Sequence, residues 1–450
     1  MLRNLTISAL LLLFASAGLA QGESTLYRTI KENYEEKADS MVNAFIESFM
    51  IKNKGVFNDK YRQYAFNAYW TQAHAMDVIV YSYERHKEDN KTLANKLKSY
   101  ITLWYNNKAN NYAGASTSDG TYRMFENPYT DDMCWITLTL LHMYEATNTT
   151  KYYTAAKNIF DQYIIKRAKE DTETGGLWLP WNTDAGSGPN ACTQSPATLI
   201  AAKLYQKTNQ EKYLTYAKKL YAYTSKKIVK NDGRVEEPPL TYTQGTFGEA
   251  CRILYHVTDE NNTIKNRYKS FAYTYINYAF TSGRCTNGSN ILRHEGTSGD
   301  QSIFKAVLIP YAVNFVLDTD MTIANRRVIA EYIQKNTKTL CQNLNWDRYP
   351  IVFCNFDWTK PWTGTDSEAS MGAMCSGTSL LENTARMQKA IIEDYQDYQD
   401  VIEDIPAANS IANTSGIYAI DGHQICTPWK GTDNLPKGMY IVNGKKVLIK

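Results

Sequence analysis

Two aspartates stand side by side, Asp131 and Asp132, in the run Asn127-Pro128-Tyr129-Thr130-Asp131-Asp132-Met133-Cys134-Trp135, where a Pro-Tyr-Thr loop passes into an apolar, helix-spaced stretch. That handover puts both carboxyl groups on the first turn of a helix. Consecutive helical residues point roughly 100° apart, so the two groups can flank one bond at the separation of about 5 to 5.5 Å that double displacement at a sugar carbon requires. One carboxylate would attack and one carboxylic acid would protonate the leaving oxygen, and their mutual repulsion makes them titrate as a coupled pair. The plain alternative is that acidic residues in a first turn only complement the helix dipole and its unpaired N–H groups.

Other polar and aromatic residues cluster at comparable places. Trp70, Gln72 and His74 fall in Tyr69-Trp70-Thr71-Gln72-Ala73-His74, where each is either wall packing or a contact to a sugar. Trp178 and Trp181 lie in a Gly- and Asn-rich stretch, where aromatic rings serve as stacking platforms. Asn190 precedes Ala191-Cys192-Thr193-Gln194-Ser195-Pro196-Ala197, and Tyr242 and Gln244 sit in Thr241-Tyr242-Thr243-Gln244-Gly245. Gln244 either marks a helix start or binds a sugar hydroxyl. His294, Glu295 and Asp300 could line the far side of a cleft. Hydrolysis of this kind needs no metal and no cofactor, so none is expected.

In chain order, Tyr69–Asp77, the Tyr129–Trp135 segment, Gly175-Gly176-Leu177-Trp178, Asn190–Ala197, Thr241–Gly245 and Ile291–Glu295 with Phe304-Lys305 resemble the motifs of glycoside hydrolase family 76, the endo-α-1,6-mannanases. The resemblance runs from about residue 27 to 395, with Thr243 and Ala306 departing from the Asn and Gly expected there. It implies a retaining, endo-acting α-1,6-mannanase working through a covalent glycosyl-enzyme intermediate, with Asp131 as nucleophile and Asp132 as acid/base. It implies mannan or α-1,6-manno-oligosaccharides as substrate, bound by Trp70, Gln72, His74, Trp178, Trp181, Asn190, Tyr242, Gln244, His294 and Asp300. The residues alone do not order the two aspartates. Two rivals remain, a non-catalytic glycan-binding protein and another glycosidase of the same fold such as an unsaturated uronide hydrolase. A uronide would call for a basic cleft, whereas these loops are neutral and aromatic.

Apolar residues at helical spacing recur about twelve times, placing helices near 27–52, 65–86, 91–107, 130–147, 150–168, 193–208, 210–226, 244–258, 262–280, 299–318, 321–341 and 367–393. Tight turns follow the even-numbered helices and long loops follow the odd-numbered ones. A weak repeat marks the tight turns: Leu141-His142-Met143-Tyr144, Ala202-Lys203-Leu204-Tyr205 and Arg252-Ile253-Leu254-Tyr255. Six such hairpins closed into a ring make an all-α (α/α)6 barrel, and every candidate residue then opens on the face that holds the long loops. No convincing strand precedes the tail. Beyond a linker over 396–415, short alternating runs with Gly turns over 416–450 predict a small C-terminal β module, similar to sorting signals read by type IX secretion.

The chain has 450 residues and a net charge of +3 with scattered lysines, which argues against nucleic acid as a partner. Met1-Leu2-Arg3-Asn4, an apolar run and Ala17-Gly18-Leu19-Ala20 read as a signal peptide over 1–20, ahead of a catalytic domain over 21–395. No later run is long and apolar enough to span a membrane. The expectation is a monomer exported to the surface, periplasm or medium of a Gram-negative bacterium. Export permits disulfides, and Cys341 with Cys354, which bracket one loop, is the expected bridge.

Overall fold

Helices that are apolar nearly all round alternate along this chain with helices that carry a single apolar stripe, and that alternation dictates a ring inside a ring. The computed structural model describes residues 26–63, 69–107, 125–236, 238–404, 417–419, 424–426, 438–442 and 445–449. Among them are α1 (Glu35–Phe49), α2 (Tyr69–His86), α3 (Lys91–Asn107), α4 (Thr130–Thr147), α5 (Thr150–Ile159), α6 (Ala191–Thr208), α7 (Glu211–Tyr223), α8 (Thr241–Val257), α9 (Asn262–Thr281), α10 (Phe304–Leu317), α11 (Ile323–Gln342) and α12 (Met371–Asp404). The even-numbered helices form the inner ring of an (α/α)6 barrel. In α10 eleven residues from Phe304 to Val316 are buried, including Lys305 and Pro310. The outer helix α3 instead buries only Ala94, Leu97, Tyr100, Ile101 and Trp104, one stripe at helical spacing.

α12 closes the ring between α10 and α2. Ser379 Oγ donates to Ala306 O at 3.1 Å on the α10 side. On the other side Arg85 of α2 holds Glu382 with two bonds, Nε–Oε1 at 2.7 Å and Nη2–Oε2 at 2.8 Å, both side chains fully buried. A cavity of about 110 Å³ is lined by Asp77, Glu84, His142, Glu145, Lys203 and Arg386, among others. His142 sits there between Asp77 Oδ1 at 3.0 Å and Glu84 Oε2 at 3.1 Å.

Three expectations need correction. Two short hairpins lie inside the helical region, β1 (Met50–Ile51) with β2 (Val56–Phe57) and β3 (Lys169–Asp171) with β4 (Gly176–Trp178). Strands of two or three residues are too brief for any period-2 pattern to register. Cys341 and Cys354 are both free thiols. Cys354 is turned toward Gly377 of α12, so close that a Cβ there would lie 2.2 Å from its Sγ. Finally, α12 continues to Asp404, past residue 395, because no Gly or Pro interrupts the chain until Pro406 disfavours helix at the residue before it.

Thr29–Lys389 forms one compact unit, and a second unit includes Ala390–Lys450. That second unit contains an antiparallel sheet of β5 (Ile417–Ala419), β6 (Gln424–Cys426), β7 (Gly438–Val442) and β8 (Lys445–Ile449), in the order β6-β5-β7-β8. The expected signal peptide lies outside the described residues, as does most of the expected linker. No described helix is long and apolar enough to cross a membrane.

Candidate active site

The loop before α4 is held from two sides. Arg167, which follows α5, donates to Pro128 O at 2.9 Å, Thr130 Oγ1 at 3.0 Å and Asn127 O at 3.0 Å. The Thr130 N–H donates to Trp181 O at 2.7 Å, so the loop containing Trp181 pairs with the start of the helix. α4 therefore begins at a fixed place, and the next two residues are Asp131 and Asp132.

Their surroundings differ. Asp131 Oδ1 accepts the Asp132 N–H at 2.9 Å and Oδ2 accepts the Cys192 thiol at 3.2 Å. Burial raises the Asp131 carboxyl above the usual range, against those bonds. For Asp132, burial first, then the charges of Asp131 and Asp300, push the carboxyl up to about 8, with nearby Asn127 opposing them. Both carboxyls are thus raised, and like charges this close disfavour ionising the two together.

Around the aspartates lies an aromatic floor. Trp135, one turn along α4, has its ring centroid 5.1 Å from His74, 6.3 Å from Trp70 and 6.0 Å from Tyr242. Tyr242 stacks on Phe304 at 4.2 Å. Trp70 Nε1 donates to Asp300 at 2.7 Å, and the exposed Asp300 carboxylate is close enough to bias both Asp131 and Asp132. At the rim, Trp181 and Tyr129 stack with centroids 5.7 Å apart and remain 37% and 45% exposed. A flat apolar face of this kind suits a pyranose ring.

The structure thus gathers Trp70, His74, Trp181, Tyr242 and Asp300 about the aspartates, and gives four other candidates different work. Gln72 is buried, and its amide is spent on Phe57, accepting from N at 2.9 Å and donating to O at 2.7 Å. Gln244 is fully buried and clasps the preceding loop, accepting from Val235 N at 2.7 Å and donating to Gly233 O at 3.1 Å. Asn190 caps α6 through Thr193 N at 3.0 Å. Trp178 pairs across the β3–β4 hairpin with Lys169, whose ammonium lies 4.7 Å from its ring centre. His294 is exposed, next to Glu295, whose carboxylate accepts the Thr241 N–H at 2.8 Å and so caps α8. Glu236 does the same for α6 at Ala191 N. Sequence reasoning missed Arg167, Cys192 and Glu236, all remote in the chain from what they hold; Asn127 and Tyr129 stood in the quoted motif without a role.

Residues 29–394 match the family model described as glycosyl hydrolase family 76. The chain belongs to that family. Among its relatives, a mannan endo-1,6-α-mannosidase of Candida albicans is 20% identical over 292 residues, which is 60% of this chain and 59% of that protein. This chain therefore spans well under two thirds of that relative's length. An α-1,6-mannanase of family 76 from Salegentibacter sp. HEL1_6 shares the fold at a TM-score of 0.66 and 24% identity, covering 79% of this chain and all of that one. An inactive variant of it, with two consecutive aspartates changed to asparagine, is in complex with α-1,6-mannotriose (TM-score 0.67, 23% identity, 79% of this chain and 100% of that).

Proposed function

We propose that this family 76 chain is a retaining, endo-acting α-1,6-mannanase that cuts the mannan backbone through a covalent glycosyl-enzyme intermediate. The observation that carries the reading is the asymmetry of the paired carboxyls: Asp131 is held by two donors, whereas Asp132 is crowded by two like charges and pushed up to about 8. Asp131 is then the nucleophile at the anomeric carbon and Asp132 the acid that protonates the departing oxygen. In the second step Asp132 takes a proton from water as that water releases the sugar from Asp131. The relatives named for α-1,6-mannan support the substrate, as does the loss of activity recorded when the Salegentibacter enzyme lacks two consecutive aspartates.

Asp300 and Trp70 stand where they can orient a sugar hydroxyl beside the pair, and the Tyr129–Trp181 stack offers a platform for a neighbouring unit of the chain. The terminal sheet and the expected signal peptide accord with export, and we read the enzyme as a monomer acting on polysaccharide. Unbranched α-1,6-mannan, with products sized over time and their anomers read by proton NMR before mutarotation, tests the reading. Large oligosaccharides should appear early and carry the α-anomer. Mannose alone as the first product would refute endo cleavage, and the β-anomer would refute retention.

A further inference from the structure

We infer that Cys192 is a positioning residue for Asp131, its thiol donating to the carboxylate oxygen that the backbone leaves free and so fixing the rotamer and charge of the nucleophile. The inference rests on the reading of Asp131 as nucleophile. Asp131 has two oxygens and two donors: Oδ1 takes the Asp132 N–H at 2.9 Å and Oδ2 takes the Cys192 S–H at 3.2 Å, within the longer range normal for sulfur. The thiol is the only one of the two that a side-chain substitution can remove. It stands on the first turn of α6, whose start is itself fixed by Asn190 and Glu236, so its direction toward Asp131 is set by the fold across 61 residues.

Tyr242 of α8 lies near enough to the same sulfur for the two groups to raise or lower one another's titration. Burial, and then Asp131 itself, push the Cys192 thiol well above its ordinary range, so it remains protonated and remains a donor. The ionisable groups that face this place are Asp132 and Cys134 on α4, Asp300 ahead of α10, Glu236 and Tyr242 at α8, and Arg167, which acts through Cys134. Four of these are carboxyl or phenol groups and one is a thiol, and Arg167 is engaged with the Asn127–Thr130 loop. Burial, and then the charge of Asp300, therefore favour a protonated Asp131, and the thiol is a specific group that opposes them.

Asp131 titration followed by carbonyl 13C NMR in selectively labelled protein, alongside the pH profile of kcat/KM on α-1,6-mannan, tests this in wild type, Cys192→Ala and Cys192→Ser. In Cys192→Ala the Asp131 midpoint should rise by roughly half a unit to one unit, with the acidic limb of the profile moving up equally. Cys192→Ser, which restores an O–H donor, should return both toward wild type. An unmoved midpoint in Cys192→Ala overturns the inference, and so does an equal shift in both variants, which would assign the effect to lost volume. The NMR midpoint does not depend on turnover. A wild-type protein inert on mannan would therefore refute the proposed function and leave the donor question still answerable.

Discussion

Asp132 is unfavourable to ionise beside Asp131 and Asp300, and this has a consequence for stability as well as for rate. Its carboxyl titrates near 8 in the folded protein against an ordinary 3.8. A group raised on folding contributes stability below its ordinary value and loses that contribution as pH climbs through the folded one. Asp132→Asn, which cannot ionise, should melt close to wild type near pH 4, and the gap in its favour should widen up to about pH 8 and then level off. Melting curves of both proteins across that range check it, and a gap that ignores pH would contradict the burial argument. In turnover assays Asp131→Asn and Asp132→Asn should each lose at least about a thousandfold, because each removes a reacting group. These two positions were legible in the sequence because a loop-to-helix handover fixes where neighbouring carboxyls point. Gln72 and Gln244 were not: an amide early in an inner helix reads the same whether it meets a sugar or a remote backbone, and here the backbone of Phe57 and of Gly233 and Val235 claims it. Gln72→Ala should therefore destabilise the fold by about 1 to 3 kcal/mol, from the orphaned Phe57 groups, while KM for mannan stays put.

At the scale of elements, the long loops do what the alternation of loop lengths foretold, and the inner helices present their N-termini to them. The sequence signal for this was the switch between tight and long connections, which depends only on spacing. The partners of those N-termini could not be read, since the carboxylates of Glu236 and Glu295 reach Ala191 and Thr241 across 45 and 54 residues. The rim illustrates the same limit. Trp178 and Trp181 look alike in the sequence, yet one is covered by Lys169 in a hairpin and the other is stacked, half open, on Tyr129. Trp181→Ala should weaken long oligosaccharides by about 1 to 3 kcal/mol with little change in melting temperature, and Trp178→Ala should not. Isothermal titration of a catalytically dead variant with mannotetraose separates the two; equal losses would return both rings to one role.

For the whole molecule, the closing contact of the ring among the described residues includes a fully buried ion pair. Arg85 on α2 and Glu382 on α12 are hidden from solvent, and removing Glu382 leaves the buried guanidinium with only the partly exposed carboxylates of Asp39 and Glu35 beside it. Glu382→Ala should lower unfolding free energy by about 3 kcal/mol or more, whereas replacing both residues by Met and Leu should cost distinctly less. Denaturant melts compare them, and equal losses would mean that the pair acts through packing alone.

That pair also says something about time. Its members are 297 positions apart, and at ordinary rates of synthesis, about 5 to 20 residues per second, the first waits tens of seconds for the second. Throughout that interval α2, and from its own synthesis onward α10, wait for the helix that closes the ring between them. A chain halted before α12 would leave the ring open permanently, so the last helix of the ring is also the one whose delay leaves the protein most open to aggregation or to capture by a chaperone.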